Sequence, residues 1–201
     1  MGYYIRVLAT DDTPLSEHEL RECLPDIPKC ELISEGEDEA GWLQLILSHV
    51  DGPAIAVVER NSVIPGELGH EEIAEFLEEV KVGRPESAAR WLEGYLPCVK
   101  VVYAFQLLSG TDFHDGWAAV HALQNCIWSK RGGILQADGE GFSNEDGYQI
   151  LWQFANTAAG GWNMAVLDKS GIWIRFQMDL GNPEQRAAFL EGRIPDGAKL
   201  L

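Results

Sequence analysis

Gly41-Trp42-Leu43-Gln44-Leu45-Ile46-Leu47 reads as the start of an apolar strand that stops at Asp51-Gly52. Gly161-Trp162-Asn163-Met164-Ala165-Val166-Leu167 reads as another, and it stops at Ser170-Gly171. A second strand follows each turn, Ile55 to Glu59 in one case and Ile172 to Met178 in the other. Each pair leads into a helix, carrying Ala74-Glu75-Phe76-Leu77-Glu78 or Ala187-Ala188-Phe189-Leu190-Glu191. One supersecondary unit used twice predicts an internal duplication around a shared core.

Outward from these hairpins, Tyr3 to Ala9 reads as a first strand. Ser16-Glu17-His18-Glu19 has the form of a capping box, opening a helix that Pro25 and Pro28 end. Cys30 to Ser34 reads as a strand followed by an acidic turn, Glu35 to Glu39. The next helix, Glu67 to Val80, has the apolar stripe Ile73, Phe76, Leu77, Val80. Gly83-Arg84-Pro85 breaks the pattern, and a bridging helix runs from Ser87 to Tyr95. Val99 to Leu108 is apolar on both faces, which predicts a central strand. A helix from His114 to Lys130 closes at Gly132-Gly133, with a short strand at Ile134 to Ala137. Tyr148 to Phe154 fits strand and helix equally.

The expected class is α+β. Two similar strand-helix-strand-hairpin-helix units would form a largely antiparallel or mixed sheet with helices on one face. The expected organisation is an acidic first repeat over 1–82, a helical connector over 83–97 and a second repeat over 98–201. The second repeat carries an inserted Gly/acidic loop near 138–154, and all parts pack as one compact unit.

A chain of 201 residues that is 46% hydrophobic can bury a sizeable core without metals or disulfides. No apolar run reaches the roughly 18 residues of a membrane span. The start, Met1-Gly2-Tyr3-Tyr4-Ile5-Arg6, lacks the pattern of a signal peptide, so the expected location is cytoplasmic. Cys23, Cys30, Cys98 and Cys126 form no C-x-x-C, and the expectation is four reduced, mostly buried thiols.

Charge is unevenly spread. Residues 1–82 carry 19 acidic against 5 basic side chains, and the remainder of the net −17 is small. This disfavours nucleic acid, whose phosphates need a basic surface. It suits a basic protein partner steered by an acidic face, with Glu35, Glu37, Asp38 and Glu39 as the contact. The expected function is thus a non-enzymatic protein-interaction module, inhibitor-like or adaptor-like. A homodimer built on a sheet edge or a tryptophan is also compatible with the sequence.

The alternative is a small hydrolase or ligand-binding enzyme with its site between the repeats. His114, His121 and Asp115 are its catalytic candidates, because a carboxylate beside an imidazole can orient a general base. On the helix, Trp117, His121, Gln124 and Trp128 share one side, which predicts a half-buried His121 at the core margin. Asp112 is the expected N-cap. Asp138, Glu140, Asn144 and Asp146 form a glycine-rich recognition loop. Phe142 and Gln149 occupy places where a calcium loop needs ligands, so no metal and no cofactor are expected. Trp42 and Trp162 are expected at equivalent core positions.

Overall fold

The computed structural model describes residues 2–24, 30–38, 41–113 and 115–201, positions 37 and 38 by backbone alone. In chain order the first elements are β1 (Tyr4–Ala9), α1 (Glu17–Arg21), β2 (Cys30–Asp38), β3 (Gly41–His49), β4 (Ala54–Ser62), α2 (Leu68–Val80) and α3 (Glu86–Tyr95). There follow β5 (Val101–Leu107), α4 (Gly116–Arg131), β6 (Ile134–Ala137), β7 (Gly141–Phe142), β8 (Gly161–Leu167), β9 (Trp173–Asp179), α5 (Pro183–Leu190) and β10 (Lys199–Leu200). The class is α+β. The chain divides into two compact units, residues 1–71 with 99–133 and residues 72–98 with 134–201.

In the first unit the strand order is β2-β3-β4-β5-β1, and every neighbouring pair is antiparallel. β5 lies between β4 and β1, which satisfy both of its edges, and Val101 to Phe105 are all buried, so both of its faces are covered as well. That is why its sequence shows no polar alternation. The β3–β4 hairpin turns at Asp51, whose φ of 58° is left-handed, and the Gly52 amide donates to the His49 carbonyl. α1 opens with the expected capping box: Ser16 accepts from the Glu19 amide while Glu19 accepts from the Ser16 amide. Pro25 and Pro28 lie outside the described residues.

α4 packs on β1 and β4 through Ala119, Val120, Leu123 and Ile127, all fully buried. Its N-cap is Asp115 and not Asp112; Asp112 ends a 3₁₀ turn begun at Ser109. Asp115 is left-handed at φ 68° and makes no capping side-chain bond. At the other end Gly133 has φ 99°, and a Cβ there would stand 2.0 Å from the Leu8 carbonyl oxygen. Only glycine lets the chain leave the helix so close to β1.

The cysteine expectation is corrected. Cys23 and Cys126 form a disulfide, and only Cys30 and Cys98 are free. The two partners are 103 residues apart, so no local spacing could announce the bond.

In the second unit β8, β9 and β10 form a three-stranded antiparallel sheet in the order β10-β9-β8. Met164, Phe176, Met178, Leu180 and Phe189 build its core, with Trp152 and Trp162 packed at the margin. Tyr148 to Phe154 is neither helix nor regular strand; Gln149 makes isolated bridges to Ser143 and Met164. The order strand, helix, strand, hairpin, helix does recur along the chain. Duplication does not follow from it: β3–β4 sit beside β5 and β2, whereas β8–β9 pair with β10 in a separate sheet. Trp42 is nearly sealed at 4% exposure, while Trp162 is only partly buried.

Candidate interaction surface

From Glu35 to Asp38 the acidic stretch proposed for partner contact is strand and not turn. β2 continues through it, with Glu35 opposite Gln44, Glu37 opposite Trp42 and Asp38 opposite Gly41. The pairing extends this far because Leu32, Leu45 and Leu47 are buried together and set a register that the acidic residues inherit. Glu35 is exposed, with the Gln44 amide 3.4 Å from its carboxylate. The side chains of Glu37 and Asp38, and Glu39 entirely, lie outside the described residues.

β2 is the terminal strand of its sheet. Its first half is flanked by α1: Arg21 donates to the Leu32 carbonyl and to the Glu17 carboxylate. Hydrogen bonds from Ser34 and then Arg21 hold the Glu17 carboxyl below its usual range. The acidic second half follows this flanked segment. Charge on a terminal strand also discourages pairing with a second copy.

Beside this strand lies a cavity of about 220 Å³ lined by Leu43, Arg60, Asn61, Ser62, Ile64, Glu67 and Leu68. Leu43, Ile64 and Leu68 are 42%, 57% and 58% exposed, while Arg60 is 5% exposed. Arg60 stands directly opposite Tyr103, which is fully buried. Burial pushes the Tyr103 phenol up, partly offset by the positive charges of Arg60 and Arg131. The Trp42 ring lies 6.0 Å from Tyr103, and its indole donates to the Leu15 carbonyl at 2.7 Å. An arginine inside an apolar strand is the one local signal of this cavity in the sequence.

α2 carries the other acidic surface. At about 100° per residue, Glu71, Glu75, Glu78 and Glu79 fall within an arc of about 100°, and all four are exposed. Ile73, Phe76 and Val80 on the opposite side are buried. The expected stripe therefore holds, apart from Leu77, which is half-buried.

The histidine candidates fare differently. His114 lies outside the described residues. His121 is exposed, not half-buried, and its ring stacks on Trp117 at 5.6 Å. The buried arc of α4 ends before it, and Trp117 is itself 44% exposed. Of the remaining strip, Gln124 is buried and Trp128 half-buried, its indole donating to the Gly133 carbonyl. Asp115 raises the Cys30 thiol pKa, as a second cause after burial. His121 and Asp115 belong to the first unit, Asp138 and Glu140 to the second.

In the glycine-rich loop, Asn144 is fully buried and its Oδ1 accepts from the Asp146 and Tyr148 amides. It shapes the turn. Gly141, at φ 108°, lies so near the Leu151 carbonyl that a Cβ would stand 2.4 Å from its oxygen. The Glu140 carbonyl accepts from the Gln149 side chain at 2.8 Å. Asp146 pairs with Arg175 at 2.7 Å, and the Arg175 guanidinium lies 5.2 Å from the Tyr148 ring centre. Tyr95 donates to the Glu145 carboxylate, Trp91 stacks on Tyr95 at 4.7 Å and meets Trp173 edge-on at 5.3 Å. Glu140, Asn144 and Asp146 thus hold partners within the unit through side chain or backbone. Asp138 is half-buried.

Among the described residues no group of three or more His, Cys, Asp or Glu side chains is placed to hold a metal ion. No helix among the described residues is long and apolar enough to cross a membrane. Comparison with family models, with curated proteins and with solved structures finds no match.

Proposed function

We propose that this chain is a protein-interaction module that acts by binding, presenting acidic surface to a basic protein partner as an inhibitor or adaptor would. The observation that supports this reading is the setting of the acid. Glu71, Glu75, Glu78 and Glu79 line the exposed side of a regular helix, and Glu35 is exposed on a terminal strand. Carboxylates held on regular elements keep a fixed pattern of charge without ordering a loop on binding. Such a pattern raises the rate of encounter with a cationic surface and fixes orientation more than it adds affinity.

The test is a pull-down from native extract at low and moderate salt, with the Glu35→Lys, Glu37→Lys, Asp38→Lys, Glu39→Lys variant beside the wild type. A stoichiometric basic partner, lost or weakened in the variant through a slower on-rate, is the expected result. Capture of a partner with unchanged kinetics and no salt dependence would remove the electrostatic reading.

A further inference from the structure

We infer that the Cys23–Cys126 disulfide is a reducible clasp on the terminal strand β2. Opening it loosens α1, and with it the first half of β2, while the rest of the first unit stays folded. The inference concerns the order of this strand and stands apart from the interaction reading above.

The contacts from the disulfide to the strand are continuous. Cys23 follows the end of α1 by two residues, and its bond to Cys126 ties that end to α4. α1 in turn holds β2. Arg21 donates to the Leu32 carbonyl and to the Glu17 carboxylate, and Glu17 is also hydrogen-bonded by Ser34. A helix of five residues has no stability of its own in water, so its hold on β2 is only as firm as its anchors. Ahead of the helix the anchors are several. The Trp42 indole donates to the Leu15 carbonyl, Arg131 donates to the Pro14 carbonyl, and Lys100 pairs with Asp12. Beyond Leu20 the disulfide and the buried Leu24 side chain hold the chain.

Access to the bond is one-sided. Cys23 is half-buried, whereas Cys126 is 6% exposed. An attacking thiolate therefore meets the Cys23 sulfur, and Cys126 is the leaving group. With a dithiol as reductant, its first thiolate bonds to Cys23 Sγ as the S–S bond breaks, and the Cys126 thiolate takes a proton. The second thiol of the reductant gives up its proton and displaces Cys23, which takes a proton in turn. Two electrons have then passed to the protein, and the reductant has closed into its own disulfide.

The reduced thiols have an acceptor in place. The Glu19 carbonyl oxygen lies 3.3 Å from Cys23 Sγ and 3.9 Å from Cys126 Sγ, and the Cys23 amide bonds to the Leu20 carbonyl instead. Two S–H groups, weak donors, can thus face a carbonyl oxygen without leaving a buried polar group unpaired. The packing of α4 on β1 and β4 through Ala119, Val120, Leu123 and Ile127 involves neither sulfur. Reduction therefore removes the tether and leaves the core.

The test is hydrogen exchange read by mass spectrometry on the air-oxidised wild type, with and without dithiothreitol, in the absence of denaturant. Alkylation counts the thiols. Dithiothreitol is expected to release two further alkylatable thiols. Peptides covering α1 and residues 30–34 are expected to exchange about tenfold faster after reduction, while those of β4, β5 and α4 keep their protection. Cys23→Ser is expected to exchange as the reduced wild type does. A bond missing from the oxidised protein, or one that resists dithiothreitol until denaturant is added, would overturn the inference. So would exchange unchanged by reduction, or protection lost equally across β4, β5 and α4, which would make the bond a staple of the whole unit.

Discussion

Cys23 on the turn after α1 is bonded to Cys126 on the buried side of α4, joining residues 103 apart in sequence. The bond closes most of the first unit's chain length into one loop. Disulfides persist in oxidising surroundings and are rare in reducing ones, so their state is a direct question about this protein's surroundings. Peptide mapping without reductant is expected to show a linked Cys23–Cys126 pair and two alkylatable thiols. Cys23→Ser is expected to cost about 2–4 kcal/mol in chemical denaturation; an unchanged midpoint would show that the bond does not form in solution.

The two free thiols differ in reactivity. Cys98 is exposed, whereas Cys30 is partly buried and its thiol is pushed up by that burial and then by Asp115. Since only the thiolate attacks an alkylating agent, iodoacetamide at pH 8 is expected to label Cys98 first. Asp115→Asn removes the like charge and is expected to speed labelling of Cys30. Equal rates for Cys30 in both proteins would deny the electrostatic contact.

Trp42→Phe keeps an aromatic ring but loses the indole donor to the Leu15 carbonyl. A buried acceptor left without its donor costs about 1–3 kcal/mol. Trp162→Phe, in the half-buried ring packed on Phe154 at 5.2 Å, is expected to cost less. Urea melts of the two variants rank the sites, and equal losses would contradict the distinction.

Asp168 sets the β8–β9 turn by accepting from the Ser170 amide, the Ser170 hydroxyl and the Ile172 amide. Hydrogen bonds from Ile172 and Ser170 hold its carboxyl below the usual aspartate range. A depressed folded value means the stabilisation is present above the unfolded pKa and is lost as pH falls through the folded one. Wild type is therefore expected to lose its advantage over Asp168→Ala below about pH 4. A constant difference from pH 6 to pH 2 would contradict this.

Several parts of this molecule were legible because their causes are local. The Ser16–Glu19 box needs only three residues of spacing, and α2 separates its glutamates from Ile73, Phe76 and Val80 by helical periodicity alone. The surface cavity was not legible, since Leu43, Arg60 and Leu68 come from three elements. Nor was the exposure of His121: a helical wheel shows which side a residue takes, not how far the neighbouring strands reach around it.

From the sequence alone came the α+β class, the central place of β5, the turns at Asp51-Gly52 and Ser170-Gly171, and the concentration of acid before residue 83. Each follows from composition or from patterns spanning a few residues. Tertiary structure alone decided that β5 enters between β4 and β1, that Cys23 meets Cys126, and that Glu35 to Asp38 belong to a paired strand. It also decided that Arg60 is buried opposite Tyr103. These depend on strand register and on contacts between distant segments, which many orders of the same elements would satisfy locally and only the packed core selects.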